Sequence, residues 1–193
     1  GAGAPVGAWA TGGSLNTARI QMAGSGASTS SGLAFGGEVP GSFSALTESY
    51  NGTNWTEVND LPAAKENLVG DGTQTSTLAF GGKTSVPTTV ATTESWNGTN
   101  WTAVNSMNTA RNALGGCGTD NTSALAFGGA PPDSLAVTET YNGTNWTEVN
   151  DLNAGRNGLG GVGTNTNALA FGGFNGTARV AITEVWNGTN WTE

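Results

Sequence analysis

One unit of about 45 residues is repeated four times along this chain of 193 residues. The pentapeptide LAFGG begins at Leu33, Leu78, Leu125 and Leu169. Tryptophans followed by a small or polar residue lie 45 or 46 residues apart, at Trp9, Trp55, Trp101, Trp146 and Trp191. Such a period is typical of a solenoid, a propeller or an array, in which each unit buries its apolar face against its neighbours. The repeat constrains the architecture, and differences between copies indicate where function lies.

The composition favours many short strands joined by tight turns, because the chain has 32 glycines, 36% hydrophobic residues and only 10% charged residues. The net charge is −8, and the six Lys and Arg residues are scattered. Binding to a phosphate backbone needs clustered basic side chains, so we expect no nucleic-acid partner. No apolar run is long enough to span a bilayer, so we expect no membrane insertion. The single cysteine, Cys117, excludes an internal disulfide, and we expect it to be buried and inert.

Each unit divides into four segments of strand length. In the third unit these are NALGGCGT, SALAFGG, LAVTETY and NWTEVND. An Asn-Gly pair separates the third and fourth segments in every complete copy, which predicts an antiparallel hairpin there. The double glycine after LAF predicts a sharp turn or a close backbone approach. Four-stranded antiparallel sheets repeated about an axis describe a β-propeller better than a solenoid.

Several of these features resemble the kelch family over nearly the whole chain. They are the double glycine, an aromatic residue before the Asn-Gly turn, a tryptophan five residues later, and a Thr-Ala-Arg element such as Thr109-Ala110-Arg111. The aromatic residues are Tyr50, Trp96, Tyr141 and Trp186. The resemblance implies a motif that builds a blade and carries no activity. The LAFGG and YNGTNWT sequences are also similar to kelch-like repeats of bacteriophage and marine microbial structural proteins.

We therefore expect an all-β fold, a β-propeller of four kelch-like four-stranded antiparallel blades, in a single domain over residues 1–193. The repeats span approximately residues 9–54, 55–100, 101–145 and 146–190. The N-terminal tryptophan strand, residues 7–15, is complete, whereas the C-terminal one stops at Glu193. We expect the N-terminal strand to fill the outer place of the last blade, so that pairing of the N- and C-terminal segments closes a monomeric ring. If the C-terminal strand takes that place, the N-terminal strand is free to pair with another molecule in a strand-exchanged oligomer, or with a fifth repeat outside this sequence.

Charged residues recur once per unit with each sign. The carboxylates are Glu48, Glu94, Glu139 and Glu184, and the cations are Arg19, Lys65, Arg111 and Arg156. One interpretation is a ring of acids around a central channel that binds a cation. The other is structural ion pairing between strands or blades, which the equal numbers favour.

The repeated aromatic residues also have two interpretations, a sugar-stacking platform or the core between blades. Their identical position in every copy favours structural core, formed by Trp9, Trp55, Trp101, Trp146, Phe35, Phe80, Phe127 and Phe171.

Catalysis has little support in the sequence. Histidine, the commonest metal ligand and general base, is absent, and Cys117 has no histidine partner. We expect no enzymatic activity, no catalytic or metal-binding residues and no cofactor.

The loops after the double glycines differ between copies and predict a binding face, because a constant scaffold with diverse loops is a common recognition device. The candidate binding residues in these loops are Glu38, Phe43, Lys83, Pro87, Pro132, Asp133, Phe174 and Arg179. Together with the resemblance to bacteriophage repeats, this predicts an extracellular or virion-surface module of tail-fibre or decoration type. Its partner would be a protein in a larger assembly or a host-surface glycan. The alternative is a carbohydrate-binding propeller lectin.

Overall fold

The computed structural model of the chain describes residues 11–131 and 133–193. These residues form strands and turns and contain no helix. Four sheets, each with four antiparallel strands, are arranged as a four-bladed β-propeller. The predicted all-β propeller is therefore confirmed, while the expectations for Trp9 and Pro132 lie outside the described residues.

Each blade is about one repeat long, and its outer strand is the tryptophan strand that begins the next repeat as numbered above. The four strands of a blade follow one another from the inner to the outer edge of the sheet. The first blade contains β1 (Ala23–Ser28), β2 (Ser31–Phe35), β5 (Thr47–Tyr50) and β6 (Trp55–Val58). The loop between β2 and β5 forms its own hairpin from β3 (Glu38–Val39) and β4 (Ser42–Phe43). The second blade contains β7 (Val69–Thr73), β8 (Ser76–Phe80), β9 (Thr93–Trp96) and β10 (Trp101–Val104).

The remaining blades repeat this order. The third blade contains β11 (Gly115–Asp120), β12 (Ser123–Phe127), β13 (Thr138–Tyr141) and β14 (Trp146–Val149). The fourth contains β15 (Gly160–Thr164), β16 (Asn167–Phe171), β17 (Thr183–Trp186) and β18 (Trp191–Thr192). The inner strands are rich in glycine, so β1, β7, β11 and β15 approach one another closely in that order.

The Asn-Gly turns join the two outer strands of each blade, as the sequence predicts. In the first blade Tyr50 pairs with Trp55 across the turn. The Asn51 side chain accepts hydrogen bonds from the N–H groups of Thr53 (3.0 Å) and Asn54 (2.9 Å), and Gly52 has a φ of 93°. The asparagine thus holds the turn through its side chain, and the glycine supplies the left-handed residue.

The double glycines turn the chain where no side chain would fit. Gly36 and Gly37 have φ values of 68° and 97°. A Cβ atom at Gly36 would lie 2.7 Å from the carbonyl oxygen of Lys65, in the connection to the second blade. The pair therefore provides both positive φ angles and close backbone contact.

Consecutive blades pack through the same aromatic contact. Phe35 packs on Trp101, Phe80 on Trp146 and Phe127 on Trp191, with ring centroids 4.9, 5.0 and 4.9 Å apart. Each of these tryptophans also donates its indole N–H to a buried threonine hydroxyl of the preceding blade, at 3.0 or 3.1 Å. The core of the protein therefore lies between blades.

Two expectations about the ends of the propeller are wrong. Strand β18 pairs with β17 and takes the outer place in the fourth blade that we expected residues 7–15 to fill. The physical reason is that β18 needs only a short local turn, whereas the N-terminal strand would have to close a loop of the whole chain. Phe171, expected in the core, is 43% exposed, and within the described residues no tryptophan packs on its ring. Trp55, at the other end, is only half-buried.

Candidate functional site

The loops that differ between repeats lie on one face, which we call the variable face. The alternating strand directions place the double-glycine loops beside the connections that leave the tryptophan strands. Reciprocal backbone hydrogen bonds of 2.8–3.1 Å tie each loop to a connection, in the pairs Ile20–Glu38, Glu66–Lys83, Asn112–Ala130 and Asn157–Phe174. The Asn-Gly turns occupy the opposite face.

A buried ion pair supports each loop from below. In the third blade, Nη2 of Arg111 donates to Oε1 of Glu139 at 2.9 Å, and both side chains are fully buried. Nη1 of Arg111 donates to the carbonyl oxygens of Gly128 (3.0 Å) and Val137 (2.6 Å) at the base of the loop. The arginine therefore joins the third strand to both ends of the double-glycine loop.

Arg19 pairs with Glu48 and Arg156 with Glu184 in the same way, and each arginine also donates to two carbonyl oxygens at the base of its loop. In the second blade Lys65 pairs with Glu94 and donates instead to the hydroxyl of Thr92, at 3.0 Å. Burial lowers the pKa of the Lys65 ammonium and the Arg111 guanidinium, and the paired carboxylates counteract this. Hydrogen bonds from Asn16 and the charge of Arg19 outweigh burial at Glu48 and lower its pKa. Because each of these glutamates is paired with a buried lysine or arginine, the four carboxylates do not form an open acidic ring.

The structure distributes the candidate binding residues around the variable face without gathering them at one point. Pro87, Asp133 and Arg179 are exposed, and Glu38, Phe43 and Lys83 are half-buried. Phe174 is 38% exposed. Each loop therefore presents a different chemistry to solvent.

Two loops border concave surfaces. In the first blade a cavity of about 340 Å³ is lined by Ala18, Arg19, Ile20, Glu38, Val39 and Pro40. In the fourth blade a groove of about 450 Å³ is lined by Asn157, Gly158, Gly173, Phe174, Arg179 and Val180. The first combines apolar walls with a carboxylate, and the second combines an aromatic ring with a guanidinium.

Glu66 is a member of the variable face that sequence reasoning missed. Burial and the neighbouring Glu38 carboxylate raise its pKa, although Lys83 and Asn67 act in the opposite direction. Asn67 donates its side-chain N–H to Oε1 of Glu66 at 3.2 Å. The signal was present in the sequence, because other copies have the neutral residues Asn112 and Asn157 at this position.

The central channel contains a second group that was missed. A cavity of about 400 Å³ is lined by the inner strands of all four blades. Oδ2 of Asp71 is buried there without a hydrogen-bond partner, and burial together with the Asp120 charge raises the pKa of Asp71 to about 7. Its counterparts Ser25, Cys117 and Val162 do not ionise near neutral pH.

Cys117 faces the same channel and is buried, as predicted. Burial, with a contribution from the Asp71 charge, raises the pKa of its thiol to about 12. The thiolate that would act as a nucleophile is therefore scarce at neutral pH.

Comparison with known proteins adds no assignment, since no protein-family model matches the chain and no curated protein matches it significantly. Within residues 11–131 and 133–193, no three His, Cys, Asp or Glu side chains cluster as metal ligands would. No helix in the same residues has the length and apolarity to cross a membrane.

Proposed function

We propose that the protein is a non-enzymatic binding and structural module that contacts a protein or a host surface through the loops of its variable face. The observation that carries this proposal is the contrast within each repeat. Buried ion pairs support the loop base in every blade, whereas the loops themselves differ in charge and in aromatic content. A rigid scaffold lowers the entropic cost of presenting such loops to a partner.

The chemistry of the loops favours a protein partner. Aromatic and arginine side chains contribute strongly to protein interfaces, and Phe174 and Arg179 line one groove together. The acidic and apolar cavity beside Glu38 offers a second contact of opposite charge. A partner that spans both would need complementary patches, which provides specificity.

The resemblance to kelch-like repeats of bacteriophage structural proteins also supports a proposal about where the protein acts. The module would act at a virion surface or outside the cell, as part of a tail fibre or a decoration protein. The net charge of −8 agrees with a partner other than nucleic acid.

A lectin with one site between each pair of blades remains the alternative proposal. Stacking on sugars needs exposed rings, and Trp101, Trp146 and Trp191 are buried between blades. The observed packing therefore favours protein recognition over a repeated tryptophan site.

The test compares loop variants for association with purified virus particles or cell surfaces that bind the wild-type protein. Phe174→Ala and Arg179→Ala alter the variable face, while Thr144→Ala alters an exposed turn on the opposite face. We expect the first two variants to lose association and the turn variant to keep it. Equal binding by all three, or saturable binding of free glycans at several equivalent sites, would refute the proposal.

A further inference from the structure

The fourth blade has an apolar side that no other blade of the described residues covers. Leu169, Phe171 and Val185 are all exposed, whereas Leu125 and Phe127, the equivalents of the first two in the third blade, are fully buried. In each preceding blade the phenylalanine ring packs on a tryptophan of the next blade. Phe171 is therefore the projecting half of an interface whose other half the described residues do not supply.

The first blade has the matching recess. A groove of about 550 Å³ runs along β1 and β2 and is lined in part by Gly24, Gly32, Ala34 and Trp55. At the positions equivalent to Gly24, an added Cβ would lie 2.4, 2.8 and 2.6 Å from a phenylalanine Cζ atom of the preceding blade. At Gly24 itself the nearest atom is the carbonyl oxygen of Leu33, at 3.3 Å. In the first blade no described residue fills the place that a phenylalanine fills in the other three.

Backbone hydrogen bonds show the same discontinuity. The N–H of Asn67 donates to Gln21, that of Ala113 to Asn67 and that of Gly158 to Ala113, at 3.0, 3.0 and 2.7 Å. Within the described residues no corresponding bond joins Gln21 to Gly158. The series therefore ends with the N–H of Gln21 on the first blade and with the carbonyl oxygen of Gly158 on the fourth.

The threonine–tryptophan bonds end in the same way. Thr47, Thr93 and Thr138 each accept an indole N–H from the following blade, but Thr183 is exposed. In the part of the chain that the structure describes, the Trp55 indole donates no hydrogen bond. Within these residues, the threonine without an indole donor lies in the fourth blade and the indole without an acceptor lies in the first.

We propose that the fourth blade binds the first blade of a second copy of this chain, with Phe171 in the groove formed by Gly24, Gly32, Ala34 and Trp55. The second copy is favoured because the interface continues three internal interfaces, and the first blade presents the same recess as the blades that follow it. Head-to-tail contacts of this kind form closed rings when the rotation closes and open assemblies when it does not. The contact leaves the variable face free for its own partner.

The named contact residues carry no charge, so the association differs from electrostatic pairing of acidic chains. Salt screens exposed charges but does not weaken apolar contacts. The assembly should therefore persist at high ionic strength.

The experiment measures mass by light scattering and sedimentation over a concentration series. We expect the wild-type chain to associate, and Phe171→Ala to raise the dissociation constant at least about thirtyfold, as for loss of an interface hot spot. Gly32→Lys changes the other half of the interface, because the lysine side chain would occupy the groove of the first blade. It should fold, because an added Cβ at Gly32 meets only ordinary contacts, the nearest 3.7 Å from Trp55. Val86→Ala, at an exposed valine in a loop of the second blade, is the matched control and should associate as the wild type does.

Mixing the two interface variants gives the decisive result. Phe171→Ala retains an intact groove, and Gly32→Lys retains an intact phenylalanine, so the mixture contains one complete interface. We expect each variant alone to be monomeric and the mixture to form a one-to-one complex. Wild-type chains that stay monomeric, variants that associate normally, or a mixture that remains monomeric would each overturn the proposal. Circular dichroism of each variant establishes that it is folded.

Discussion

The most direct test of the inter-blade packing is to truncate the same phenylalanine in two blades. Phe127 is fully buried, with its ring centroid 4.9 Å from that of Trp191, and an added Cβ at Gly161 would lie 2.6 Å from its Cζ. Complete loss of such a ring costs about 3–5 kcal/mol. Phe171 occupies the same repeat position but is 43% exposed and lacks the stacking partner. Truncating Phe171 should cost about 1–2 kcal/mol. Its partly exposed ring buries less apolar surface on folding, and its removal leaves little cavity.

The assay is urea unfolding of Phe127→Ala and Phe171→Ala, followed by tryptophan fluorescence. It should be done in the Gly32→Lys background, because association would otherwise add to the apparent stability. A lower midpoint with an unchanged slope reports a loss of stability alone. We expect Phe127→Ala to lose about 2–3 kcal/mol more than Phe171→Ala. Equal losses would contradict this difference in packing, since they would mean that both rings are covered alike in the monomer.

Three further predictions concern the core, the ion pairs and the channel. Trp101→Ala should destabilise the fold by about 3–5 kcal/mol in thermal or chemical unfolding, because the indole packs on Phe35; a cost like that of a surface change would contradict this. Glu139→Gln should cost about 3–5 kcal/mol by leaving Arg111 buried without a countercharge, whereas Glu148→Gln, on the adjacent strand and exposed, should change stability by no more than about 0.5 kcal/mol. Selective loss of binding in folded Glu139→Gln protein would instead assign this residue to the site. The pKa of Asp71 in the folded state is raised to about 7. The contribution of this carboxyl to the free energy of unfolding is therefore fully present below pH 3.8 and is lost as the pH rises through about 7. Asp71→Asn should therefore gain about 4 kcal/mol relative to wild type across that window in unfolding titrations, and parallel pH profiles would exclude an effect of this carboxyl.

Repeated local patterns explain why much of the fold could be predicted. The Asn-Gly pairs and double glycines specify turns through their own backbone preferences, so four matched copies indicate four blades. The occurrence of one cation and one carboxylate per repeat also indicated ion pairing. The loops of the variable face were visible as the segments in which near-identical copies diverge.

The blade, its turns and the number of copies follow from local sequence, because they depend on contacts within about one repeat. The strand that completes the fourth blade and the aromatic residues that stay exposed depend on how the blades pack against one another. Phe171 and Phe127 have nearly identical sequence surroundings, yet Trp191 of the fourth blade covers Phe127, whereas no described residue covers Phe171 to the same degree. The placement of Asp71 in the channel and of Glu66 beside Glu38 likewise depends on how neighbouring repeats meet. Burial and electrostatic environment arise between repeats, so identical local sequences acquire different properties at the ends of the propeller.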